Sequence, residues 1–209
     1  MIKSINVFTI LALSIVLFGN TIFAQGTIKS VKIGNQVWMV ENLNVDKFRN
    51  GDLIPEAKTD YEWEWKGKPA WCYYRNDSEN GEKYGKLYNW YAVNDKRGLA
   101  PEGWHIPTLE EFRELAASVN HNGNDLKAIG QGREIGAGTN TSGFSALFGG
   151  YRKEYSIFDG LFGFIGFWST TEYNTTTDAD FMYLNYVTSK IEFYYGNKYD
   201  GFSIRCVKN

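Results

Sequence analysis

Only two histidines occur in the 209 residues, and one of them, His105, stands in the run EGWHIPTLEEF just ahead of Thr108, Glu110 and Glu111. An imidazole beside paired carboxylates has the chemistry to hold a metal ion or move a proton. A zinc-protease helix, however, needs two histidines one turn apart around a glutamate. Here His121 follows His105 by 16 positions and no His-Glu-x-x-His run exists. The spacing fits a structural task better. Thr108 with Glu111 three residues later is a capping box: the threonine oxygen accepts an early backbone N–H, and the glutamate reaches back to the cap. His105 is then a brace for the helix entry through its ring nitrogens, Glu111 belongs to the cap, and Glu110 faces water.

Other catalytic patterns are weaker still. Ser145 sits in GFSALFGG, not in a G-x-S-x-G elbow. Gly160, Gly163 and Gly166 lie three apart among aromatic residues, which suits close packing of rings rather than phosphate binding, so no cofactor is expected. A glycosidase needs two carboxylates across a cleft, but a chain with 24 acids always offers candidates. Strand alternation puts Trp168, Thr170 and Glu172 on one face, and Ser203, Arg205 and Val207 on another. A Glu172–Arg205 ion pair is expected to clasp the fold.

The elements that would position these residues follow from period and punctuation. VKIGNQVWMVENL reads as a hairpin turning at Gly34-Asn35. Residues 44–70 have no clean period and form an excursion. A short helix is expected over 89–93 and a clear one over 108–119, where Leu109, Phe112, Leu115, Ala116 and Val119 make an apolar stripe. FSALFGGYR (144–152) reads as a strand bending at Gly149-Gly150. GFIGFWSTTE, FMYLNYV, KIEFYYG and GFSIRCV read as further strands, giving four or five antiparallel strands and an α+β fold.

The first 24 residues have the layout of a secretory signal peptide: Lys3, an apolar run from Val7 to Phe18, then small Ala24. The run is shorter than the ~20 residues a membrane crossing needs, and no later segment is comparably apolar. Residues 25–209 are expected to form one exported domain, secreted, periplasmic or at the cell surface. The chain's 22 basic residues, less Lys3, against 24 acidic ones give a net charge of about −3. Basic residues are scattered, so nucleic-acid binding is excluded. Cys72 and Cys206 are the only cysteines. Export into an oxidising compartment favours a bridge between them, the alternative being two separately buried thiols. Such a bridge would close a loop worth up to ~4–5 kcal/mol on the chain-entropy view.

YGKLYNWYAV, LAPEGWHIPTLEEFREL, TSGFSALFGGYR, FWSTTE and GFSIRCVKN together resemble the Fibrobacter succinogenes major paralogous domain, a family of exported bacterial domains, over about residues 28–208. HIPTLEEF and GFSIRC are more distantly similar to parts of the formylglycine-generating enzymes. The resemblance implies a C-type-lectin-like fold, short helices packed on irregular antiparallel strands. Within it Trp104, His105, Thr108, Glu111, Glu172 and Arg205 are read as motif residues that hold shape. Many family members carry a cysteine before Pro-x-Gly-Trp-His, where this chain has Ala100, so Cys72 is the remaining partner for Cys206. The copper-binding cysteine pair of the formylglycine-generating type is missing, and the family name carries no reaction.

The expected function is therefore non-catalytic: a binding or scaffold module that contacts extracellular polysaccharide or a cell-envelope protein through loops 44–70 and 153–166. Trp63, Trp65, Trp71, Tyr73 and Tyr74 are its candidate contact residues, against the alternative that such rings fill the core. The calcium-lectin tripeptides Glu-Pro-Asn and Gln-Pro-Asp are absent. The competing readings are an extracellular glycan-processing enzyme with a carboxylate pair and a purely structural envelope protein.

Overall fold

The computed structural model describes residues 28–64, 67–153, 157–174 and 176–209; the expected leader (1–24) and Trp65 lie outside them. The chain is α+β, mostly strand with a few short helices. Strands β1 (Ser30–Ile33) and β2 (Gln36–Met39) form the expected hairpin, with Ile33 opposite Gln36. Gly34 turns it at φ +59°, a conformation that costs glycine little.

The excursion carries a capped turn of helix, α1 (Asp60–Trp63), and leads to β3 (Trp71–Cys72), α2 (Ser78–Tyr84), β4 (Leu87–Tyr88) and α3 (Trp90–Val93). Asn89 caps α3, its side-chain oxygen accepting the Ala92 N–H at 3.1 Å. After β5 (Trp104–His105) comes the longest helix, α4 (Leu109–Ser118), with Thr108 as its N-cap and the capping box closed in both directions.

Five strands then build the larger sheet: β6 (Gly149–Arg152), β7 (Phe158–Leu161), β8 (Phe164–Glu172), β9 (Asp178–Asn185) and β10 (Glu192–Asn197), in the order β10-β9-β8-β6-β7. The short β11 (Val207–Lys208) joins a four-stranded sheet, ordered β1-β2-β11-β5, and β3 pairs with β4 in a third, two-stranded one. Two expectations change here. The strand predicted over 144–152 begins only at Gly149. Ser145 is turned to φ +58° and held by Asn140, and the Phe144 carbonyl is taken by Arg205. Moreover, β6 meets β8 in a parallel contact, Gly150 to Ile165, whereas the sheet's other pairs are antiparallel.

Helix α4 lies on one side of this sheet. Its buried Phe112 and Leu115, with Val119 just past its end, share a cluster with Trp38, Ile165, Phe167, Met182 and Leu184. Trp38 stacks on Phe112 at 5.5 Å between ring centroids, and Phe144 meets Phe167 edge-on at 5.7 Å. Each such side chain contributes about 1.5–3 kcal/mol by leaving water. Among the described residues no helix is long and apolar enough to cross a membrane.

Candidate functional site

The residues that looked most chemical are occupied inside the fold. His105 Nε2 lies 2.6 Å from Glu111 Oε1, and Nδ1 lies 2.7 Å from Asn209 Oδ1. The other oxygen of Glu111 accepts the Thr108 N–H at 2.8 Å. Burial pushes the Glu111 carboxyl up, but hydrogen bonds from the Thr108 backbone, His105 and the Thr108 hydroxyl outweigh it and leave the group below its usual value. The brace is thus formed as the spacing implied. Among the described residues no three His, Cys, Asp or Glu side chains gather as a metal site.

The Glu172–Arg205 pair does not form. The register of β8 against β9 slips between Trp168 and Glu172, so simple alternation fails there, and Glu172 instead meets Lys198 at 3.3 Å. Arg205 is buried. It donates to Asn42 Oδ1 at 2.6 and 3.1 Å, to the Met39 carbonyl at 3.2 Å and to the Phe144 carbonyl, with Phe144 and Phe167 rings beside its guanidinium. Burial lowers its pKa to about 9, which leaves it cationic at neutral pH.

The Cys72–Cys206 bridge is not formed either; both thiols are free and buried. The cause is strand alternation. Trp71 and its partner Tyr88 face the cluster that holds Cys206, while Cys72 and its partner Leu87 face a different one with Ala57, Trp63 and Tyr74. Burial pushes each thiol up to about 12, which makes both poor nucleophiles.

Of the expected aromatic contact residues, Trp63, Trp71 and Tyr74 are likewise core. Trp63 is fully buried, its indole N–H donating to the Tyr199 carbonyl and its ring beside Arg152. Trp71 donates to the Ile54 carbonyl at 2.9 Å and is buried, as is Tyr74. Tyr73 is half-buried against Trp71 and Lys86. Each indole has found a backbone acceptor inside, which lets so large a ring be enclosed without loss.

A partly open row of rings lies elsewhere, on the side of the large sheet away from α4. Four adjacent strands each contribute one ring: Tyr151 from β6, Phe164 from β8, Tyr183 from β9 and Tyr194 from β10. Consecutive centroids are 4.7, 5.0 and 5.7 Å apart. Tyr194 is 49% exposed and the other three are half-buried. Beneath them Phe181 and Phe202 stack at 4.3 Å as a buried floor. Glycine makes that floor fit. A Cβ at Gly166 would fall 2.6 Å from Phe202, and one at Gly196 would press on Asp200, Phe202 and Phe181 at 3.1–3.3 Å.

Polar groups border the rings. Tyr194 Oη donates to Glu192 Oε1 at 3.2 Å, and the Asn185 amide reaches the other Glu192 oxygen at 3.4 Å. All three phenols are raised above their usual pKa: Tyr151 by burial and then Asp159 and Asp200, Tyr183 by burial and then Glu192, Tyr194 by its hydrogen bond to Glu192. They remain protonated donors at neutral pH. The surface can therefore offer partly stacked aromatic rings together with hydroxyl, amide and carboxylate partners.

Residues 31–208 match the Fibrobacter succinogenes major domain. The chain belongs to that family. No curated protein and no solved structure matches it. In this Fibrobacter succinogenes major domain the shared motifs touch one another. Thr171 of FWSTTE accepts the Leu109 N–H at 3.0 Å, and Thr170 N–H donates to the Pro107 carbonyl at 2.9 Å, so that segment is strapped to the start of α4. Trp168 donates to the Tyr88 carbonyl and Trp90 to that of Ser169, tying FWSTTE to YGKLYNWYAV. Arg205 ties the terminal motif to TSGFSALFGGYR. Of the open face, sequence reasoning included only Phe164, within loop 153–166. The signal that pointed to the rest was glycine inside strand patterns, at 166 and 196, marking close approach of rings.

Proposed function

We propose that this chain is a non-catalytic recognition module of C-type-lectin-like architecture, exported to the periplasm, the cell surface or the medium. It would hold an extracellular polysaccharide or cell-envelope protein against the Tyr151–Phe164–Tyr183–Tyr194 face. One observation carries the reading: the motifs bond to one another in holding the fold, whereas this row, to which they give only Tyr151, is left half open with polar partners at its margin. Short helices on irregular strands support the architecture, and the apolar leader at residues 1–24 supports export. Half-open rings suit binding because they bury large area while their hydroxyls stay wet. The test is retention of isolated envelope polysaccharide and envelope protein by the wild-type chain and by Tyr183→Ala/Tyr194→Ala. The double variant should lose about tenfold or more in affinity. Equal retention by both, or no retention by the wild type, would remove the proposal.

A further inference from the structure

The geometry points to a ligand class, on the reading that this face is the contact surface: we propose that it binds a neutral, unbranched glycan laid across the strands. The rings step once per strand, so with strands 4.7–4.9 Å apart the row runs about 14 Å, a length suited to an oligosaccharide rather than one sugar. Tyr151, Phe164 and Tyr183 lean on one another at 4.7 and 5.0 Å, tilted by 44° and 37°, so that their outer edges and the uncovered parts of their faces make a ribbed ledge. Tyr194 stands at 83° to Tyr183 and closes one end. Sugar C–H faces would rest on the ledge, their hydroxyls meeting the three phenols, Asn185 and Glu192.

Charge selects against the acidic glycans. The acids beside the rings are Glu192, whose Oε1 accepts from Tyr194 Oη at 3.2 Å, and Asp159, the cross-strand partner of Tyr151. A uronate or sulfate placed among them would meet like charge, whereas a neutral hydroxyl can donate to them.

Calorimetric titration of the purified chain with linear neutral hexasaccharides (β-glucan, β-mannan and xylan), their monosaccharides, hexagalacturonate and an oligolysine peptide tests this. At least one neutral hexasaccharide should bind, about tenfold or more tighter than its monosaccharide, with hexagalacturonate about tenfold or more weaker. Tyr194→Ala and Tyr183→Ala should each weaken that binding about tenfold, while Tyr194→Phe, which keeps the ring, should change it less than about threefold. Thermal midpoints of the variants confirm that they fold. Silence of every neutral hexasaccharide, tighter binding of hexagalacturonate or oligolysine, or neutral binding indifferent to both alanine variants would each overturn the inference. If the alanine variants still abolish retention of envelope protein or acidic polysaccharide, the face remains the contact surface and only the ligand class falls. If they retain every ligand the wild type binds, the face itself is wrong.

Discussion

Successive residues of β8 and β9 point to opposite sides of one sheet, and the two sides have become different materials. Toward α4 stand Ile165, Phe167, Met182 and Leu184, sealed from water by the helix and by Trp38. Away from it stand Phe164, Tyr183 and, on β10, Tyr194, ring beside ring and still half open. Both sides are hydrophobic by composition. The difference is that α4 and Trp38 cover the first, whereas on the second the stretch around Trp168, Ala179 and Phe181 is sealed and Tyr151, Phe164, Tyr183 and Tyr194 stand beside it partly open. A face that stays wet at its edge adds less to stability and is available for contact.

The comparison breaks or sharpens with substitution. Phe167→Ala on the sealed side should cost the most, ~3–5 kcal/mol in denaturant unfolding, because it opens a cavity against Phe144 and the helix. Arg205→Met should follow at ~2–4 kcal/mol, since Asn42 and two buried carbonyls lose their donor.

Lys127 probes the rim of the sealed side. Its buried ammonium meets Asn124 Oδ1, the Gly136 carbonyl and the Thr188 carbonyl at 3.0, 2.9 and 2.6 Å. Burial lowers its pKa to about 8 from 10.5. Between those values the unfolded chain binds the proton more, so this group adds stability as pH rises from about 8 to about 10.5 and contributes no slope below. Lys127→Met should cost ~1–3 kcal/mol at pH 7 through the orphaned carbonyls. The deficit should widen with pH over that window; a constant deficit would mean that the carbonyls offset burial of the charge.

His105→Ala should cost ~1 kcal/mol, the scale of a weakened cap. Glu111 is depressed in the folded state, so its contribution is present above the ordinary glutamate range and is lost as pH falls through the lowered value. The smallest effect belongs to the open side. Tyr194→Ala should move stability by no more than ~0.5–1 kcal/mol while weakening the proposed glycan binding about tenfold. A loss as large as that of Phe167→Ala would show that the two sides are equally structural.

Where the code is local, the fold was legible. Thr108 and Glu111 mark the start of α4, Gly34-Asn35 turns the hairpin, and Asn89 caps α3, because each signal acts within a few residues. Pairings between residues distant in sequence differ from expectation for identifiable reasons. The slip in β8 sends Glu172 to Lys198 instead of Arg205, and alternation in β3 separates Cys72 from Cys206. Trp63 and Trp71 are core because carbonyls of Tyr199 and Ile54, remote in sequence, receive their indole N–H groups. The open face was nearly invisible since it is assembled one ring at a time from four strands.

Arg205 and Lys127 are enclosed by amide and peptide oxygens rather than by acids. Those oxygens have no proton to take up in the acidic range, so lowering the pH deprives neither cation of its partners. Acidification should therefore loosen the helix entry once Glu111 takes up its proton, below the ordinary glutamate range, while the clasps that join the terminal motif and the loops around residue 127 to the rest keep their grip.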